Sequence, residues 1–296
     1  MTEGGSLRKN NFHTDLERLH KFTPCAQVFA VCAETLDRPV EKADAMLRRL
    51  SQEIEKNSDI VMLCLNFHDI KKGAESGKVA VFISIEGCEQ ISSLESAYQD
   101  GVRVLHPTWN FDNELCGAAM GSGRGLTENG RAFVKKAQHM GFALDMSHIS
   151  ERGFWDTLEA CEKPVIAGHS NAKALCNVPR NLTDEQFNAL VDVGGGAGIN
   201  LYPEFLGLGK DINAVIAHIE HFLSLGGERS VFLGCDFDGI DSTPTGLDGV
   251  QKLDKLYNAL FHRPSNAALT NDGNLAHRII SPKHSSGHCF GIIFTI

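Results

Sequence analysis

The chain has 296 residues, 42% of them hydrophobic, enough to bury one large core, and single barrels commonly reach this length. A formal net charge of -9 and the lack of any basic run argue against a surface that tracks phosphates, so neither nucleic acid nor a membrane is expected as a partner. The polar start Met1-Thr2-Glu3-Gly4-Gly5, the absence of long apolar runs and nine scattered cysteines without a C-x-x-C pair suit a cytoplasmic protein with reduced thiols.

A helical start at 14–19 precedes a first strand at 25–32 and an amphipathic helix at 40–57, where apolar residues recur at helical spacing among charges. Residues 59–67 are expected to continue helically or turn. A strand at 77–86 ends in Glu86, a helix follows at 91–99, and a strand at 102–105 leads to a glycine-rich loop at 117–125. The next helix spans 127–140. Two short apolar runs then surface at His148 and His169, with a helix at 151–161 between them. A helix at 183–191, capped by Thr183 or Asp184, precedes a strand at 195–202, a helix at 212–225, a strand at 230–236 and a helix at 249–261.

Strict strand–helix alternation predicts an α/β fold with a parallel sheet, either a closed TIM-like (β/α)8 barrel or an open doubly wound sheet. Glu86, His148, His169 and Asp236 come from four strands spread round the order, which suits a barrel mouth. Seven strand–helix units can be counted, so the barrel reads as lacking its first strand, which would precede residue 25. Residues 262–296 show no periodicity and close on an apolar, uncharged run at 289–296. They are read as a tail foreign to a barrel domain of residues 1–261.

A glutamate ending an apolar strand could cap the next helix, and a buried histidine is often a satisfied core residue. One carboxylate and two imidazoles at strand ends together make a three-ligand metal site with an open position, and Asp236 adds a carboxylate able to take a proton from water. Asp238 competes with it, but Gly239 predicts that the strand has turned by then.

Ser84-Ile85-Glu86-Gly87, Gly125-Leu126-Thr127-Glu128-Asn129-Gly130, Asp145-Met146-Ser147-His148, His169-Ser170-Asn171-Ala172, Val178-Pro179-Arg180-Asn181 and Gly234-Cys235-Asp236-Phe237-Asp238-Gly239 resemble, in order and spacing, the membrane (renal) dipeptidase family of zinc peptidases. The resemblance spans about residues 12–260. It implies an amidohydrolase-like barrel that hydrolyses dipeptides with two zinc ions bridged by Glu86, with His148 and His169 completing the second site. It also implies Asp236 as the acid/base, Arg180 as the grip on the dipeptide carboxylate, and Tyr202 and Trp109 as substrate contacts, Trp109 standing where mammalian members carry a histidine. A dipeptide is the expected partner, and a homodimer is open.

Family members begin with a strand ending His-x-Asp that supplies the first metal. His13-Thr14-Asp15 has those letters, but Asp15-Leu16-Glu17-Arg18-Leu19 resembles the family's next segment and no apolar strand precedes it. His13 and Asp15 are therefore read as a coincidental match, in a truncated or frame-shifted chain that binds about one zinc and turns over poorly. A catalytically dead remnant binding one metal or a small carboxylate, and a barrel acting on cyclic amides, are the alternatives. Arg180 argues against the latter, since a cyclic amide needs no carboxylate clamp.

Overall fold

A computed structural model describes residues 5–262 and the strand 291–295. In chain order the strands and α-helices are α1 (Leu16–Leu19), β1 (Cys25–Val31), α2 (Pro39–Lys56), β2 (Val61–Leu63), α3 (Phe67–Glu75), β3 (Val79–Glu86), α4 (Leu94–Gln99), β4 (Val102–His106), α5 (Glu128–Met140) and β5 (Ala143–Leu144). They continue with α6 (Glu151–Ala160), β6 (Ile166–Ala167), α7 (Asp184–Asp192), β7 (Gly196–Ile199), α8 (Pro203–Leu206), α9 (Ile212–Ser224), β8 (Val231–Gly234), α10 (Leu253–His262) and β9 (Gly291–Thr295). No helix among the described residues is long and apolar enough to cross a membrane.

The strands run parallel in the order β5-β4-β3-β1-β9-β8-β7-β6, with β2 beside β3. One parallel bridge, Asp145 with Ile166, joins the end of β5 to β6. The fold is thus the α/β barrel type, with its seven expected strands following one another round the ring. No strand precedes Cys25 among the described residues. The place between β8 and β1 is taken by β9, which pairs Gly291 with Cys25, Thr295 with Phe29, and residue 293 with Leu233. Of the segment expected to be foreign, residues 263–290 and 296 lie outside the described residues.

Local chemistry explains most element ends. Thr127, Ser150 and Thr183 cap α5, α6 and α7 with their hydroxyls, and Thr183 with Gln186 forms a reciprocal capping box. Strand β3 is buried on both faces, as expected of a parallel strand covered by helices. Residues 59–67 differ from expectation: Val61-Met62-Leu63 forms a three-residue strand paired with Val79 to Val81, too short for any periodicity to show, and Asn66 then caps an unpredicted helix, α3. Inside the ring, a Cβ on Gly198 or Gly234 would collide with the Gly168 carbonyl oxygen. Those glycines let β6, β7 and β8 approach closely, which carries His169 to the mouth beside Asp236.

Candidate metal centre

Glu86 is the last residue of β3 and is 1% exposed. His148 and His169 stand in the turns just beyond β5 and β6, also buried. The structure brings the three together: His148 Nε2 lies 2.9 Å from His169 Nε2, Glu86 Oε1 lies 3.5 Å from His169 Nε2, and Glu86 Oε2 lies 3.7 Å from His148 Nε2.

A short network fixes the two turns. Asp145 Oδ1 accepts from Ser147 N at 3.0 Å, Ser147 Oγ at 2.6 Å and Gly168 N at 2.9 Å, while Ser147 Oγ accepts from His169 N at 2.9 Å. One carboxylate therefore ties the His148 turn to the His169 strand end. Asn110 Oδ1 faces His148 Nδ1 at 3.1 Å; with the proton on Nδ1, the Nε2 lone pair faces the cluster.

Arg180 is 4% exposed, and its guanidinium donates to Ser147 O and approaches His148 Nε2 at 3.1 Å. Asp236 is 7% exposed and follows β8 at φ 59, so the chain already turns at this residue rather than at Gly239. Its Oδ2 accepts from Asn200 Nδ2 at 2.8 Å. Asp238, at φ 69, instead accepts from His13 N at 2.6 Å. Trp109 is half-buried with its ring centroid 6.4 Å from that of His148. Tyr202 is half-buried too, edge-on to Phe205 at 5.0 Å.

His13 and Asp15 have other partners. His13 Nδ1 accepts from Asp238 N at 3.1 Å, while Asp15 caps α1 and pairs with Arg18 Nε at 2.8 Å. One residue that the sequence left aside joins the cluster. His106 ends β4 in register with Glu86, its Nε2 3.7 Å from Glu86 Oε1 and 3.6 Å from Asp145 Oδ2. It carries the same mark as the other two histidines, an imidazole where an apolar strand surfaces, but the strand was expected to stop one residue earlier.

Burial governs the charges. It pushes Glu86 well above the usual carboxylate range, with Asp236 and Asp145 adding repulsion and Arg180 opposing it. Asp236 rises to about 7 by burial, against the pull of Asn200 and Arg180. The imidazoles of His148 and His169 fall well below their ordinary value, through burial first and then Arg180; burial lowers His106 as well. Neutral imidazoles are the form that binds metal. If ionised, the three carboxyls of Glu86, Asp145 and Asp236 against the one guanidinium of Arg180 leave two negative charges over, which one divalent cation would neutralise.

The polar atoms fit such a cation. Glu86 Oε1, Asp145 Oδ2 and Asp236 Oδ1 are buried without a hydrogen-bond partner among the described residues. Orphaned buried oxygens are costly, and a cation is one of the few things that explains them. Glu86, His106 and His169 present ligand atoms all within 4.8 Å of one another. Imidazoles with a carboxylate suit zinc-like ions better than magnesium or calcium.

A sequence profile described as membrane dipeptidase (peptidase family M19) matches residues 3–274. An uncharacterised protein from the pqqA 5′ region of Klebsiella pneumoniae is 35% identical over 75% of this chain and 88% of its own length. An uncharacterised dipeptidase of Schizosaccharomyces pombe is 30% identical over 85% of this chain and 67% of its own. Among solved structures, one described as the dipeptidase AC, a metallo peptidase of family M19, superposes with a TM-score of 0.80 at 25% identity, covering 93% of this chain and 88% of that one.

Proposed function

The chain belongs to the membrane dipeptidase family of metallopeptidases, and from that premise we propose that it hydrolyses the peptide bond of dipeptides with one zinc-like ion bound at Glu86, His148 and His169. The observation that carries this reading is the convergence of those ligand atoms with Arg180 and Asp236 in one buried cluster rich in unpartnered oxygens.

When bound, such an ion makes water acidic enough to attack near neutral pH and polarises the carbonyl. The side chains do the rest. Asp236, held by Asn200 through Oδ2, keeps Oδ1 free to accept a proton from the attacking water and return it to the leaving amine. Arg180 offers a planar fork to the substrate's free carboxylate. Its donors now face Ser147 O and His148 Nε2, so gripping substrate exchanges neutral acceptors for a carboxylate that can take both arms of the fork. Trp109 and Tyr202 are assigned the flanks of the dipeptide. With one ion per chain, turnover is expected to be slow, since a two-metal clamp on both reacting oxygens is missing.

Release of free amino acids from a dipeptide panel tests this on the full chain. Hydrolysis should vanish on chelation, return with zinc, and fail to return in Glu86→Gln. Hydrolysis indifferent to chelation, or none from zinc-loaded protein on any dipeptide, would remove the assignment.

A further inference from the structure

We propose that His106 is a fourth protein ligand of the cation, joining Glu86, His148 and His169 from strand β4. The sequence motifs do not include it, and the inference rests on the metal-site reading above.

Residues in register on neighbouring parallel strands project to the same face, so the pairing of Glu86 with His106 puts both side chains on the inner side at the mouth. From there His106 Nε2 faces Glu86 Oε1 at 3.7 Å and Asp145 Oδ2 at 3.6 Å. These gaps are too long for hydrogen bonds. They are the separation of donors that share an ion: two ligands each about 2.1 Å from zinc, at angles of roughly 110–120°, stand about 3.4–3.6 Å apart. Both facing oxygens are orphaned, and His106 is itself 3% exposed.

The other ring nitrogen sharpens the case. His106 Nδ1 is buried and has no hydrogen-bond partner among the described residues, so whatever fixes this ring must do so through Nε2. A salt bridge is a poor substitute, because neither carboxylate oxygen comes within hydrogen-bond distance of Nε2. Core packing alone is also a poor explanation: a ring placed only to fill space gains nothing from a buried, unpartnered Nδ1. A cation at Nε2 gives the ring, Glu86 Oε1 and the strand end one common partner. Three imidazoles and one carboxylate then select a zinc-like ion over magnesium.

The test uses the full chain with zinc and cobalt(II) as probes. His106→Gln should weaken zinc, measured by chelator competition, by roughly 100-fold, the scale on which loss of even an outer-shell partner is felt. Its cobalt absorption spectrum should change, and its unfolding midpoint in chelator should match that of the wild type. His106→Cys should restore tight binding and add a sulfur-to-cobalt charge-transfer band, which arises only if position 106 touches the ion. Unchanged affinity and spectrum in His106→Gln, or no such band in His106→Cys, overturns the proposal while dipeptide hydrolysis by the wild type still supports the function. A wild type that binds zinc through His106 yet cleaves no dipeptide upholds the ligand and removes the function. A wild type that binds no zinc overturns both.

Discussion

Two clusters of histidine, aspartate and arginine lie on this molecule, and they differ in how far their polar atoms are satisfied. In the N-terminal loop, Asp15 accepts from Arg18 N and Arg18 Nε at 2.8 Å each and from Asn10 N at 3.3 Å. Arg18 goes on to Gln251 Oε1 and Phe12 O at 2.7 Å, and His13 and Asp238 bond one another's backbone. At the barrel mouth, Glu86, Asp145 and Asp236 each keep a buried oxygen without a partner, and imidazole nitrogens stand 3.5–3.7 Å from Glu86. In the first cluster Asp15, Arg18, His13 and Asp238 all have partners, as in a helix cap and a loop clasp, although the Thr14 hydroxyl between them is buried without one. The second leaves buried oxygens that a cation would satisfy.

The largest effect that can break this contrast is at Glu86. Glu86→Gln should lower cation affinity and dipeptide turnover by roughly 1,000-fold or more, since it removes the carboxylate that faces every imidazole of the cluster. In chelator the same variant should unfold at a midpoint equal to or above that of the wild type, because an amide needs no buried charge. Calorimetry with and without zinc reads both. A midpoint far below wild type in chelator would mean that Glu86 is already satisfied without a cation.

Asp236 gives the pH dependence. Its folded value, about 7, lies above its ordinary 3.8, so the folded protein holds the proton more tightly than the unfolded chain. The stabilising contribution is whole below 3.8 and is lost as the pH rises to about 7. For this buried group it amounts to about 4 kcal/mol at most, at roughly 1.4 kcal/mol per unit. Glu86 shifts in the same direction while the lowered imidazoles of His148, His169 and His106 oppose it, so it is the carboxyls' share of the cation-free protein's stability that falls as pH rises. Asp236→Asn should remove part of that slope in denaturant titrations, and an unaltered slope would place the titration elsewhere.

How much of this was legible depended on how each residue announces itself. Glu86, His148 and His169 end apolar runs, and a run of that kind shows both where a parallel strand lies and where its last side chain emerges. His106 follows Leu105 in the same way, but β4 is one residue longer than its apolar stretch and the proline after it reads as loop. Ring closure was not legible at all. The place between β8 and β1 is filled by residues 291–295, far away in sequence, and no local periodicity records a pairing at that distance. Strand β2, with three residues, is defined by its pairing with Val79 to Val81 and not by its own pattern.

Arg180 sharpens the mouth side of the contrast at smaller scale. Arg180→Lys keeps the charge but loses the fork, and each charge-assisted bond lost is worth roughly 1.5–3 kcal/mol. kcat/KM for dipeptides should fall about 10- to 100-fold, chiefly through KM. Steady-state kinetics decide: a fall confined to kcat, or none, would take Arg180 away from the substrate carboxylate.

The smallest effect belongs to the N-terminal cluster. Asp15→Ala removes the side chain that caps α1 and holds Arg18, and losing an N-cap typically costs about 1 kcal/mol. The unfolding midpoint should drop by a few degrees, whereas zinc content and dipeptide turnover should stay at wild-type levels. His13→Ala should do less, because its side chain is only partly buried and its bond with Asp238 lies at the surface. Elemental analysis of the two variants beside wild type measures what matters. A second tightly held zinc ion in the wild type, lost in either variant, would mean that the hydrogen bonds of Asp15 and His13 give way to coordination. A saturated cluster would then be no sign that a metal is unwelcome.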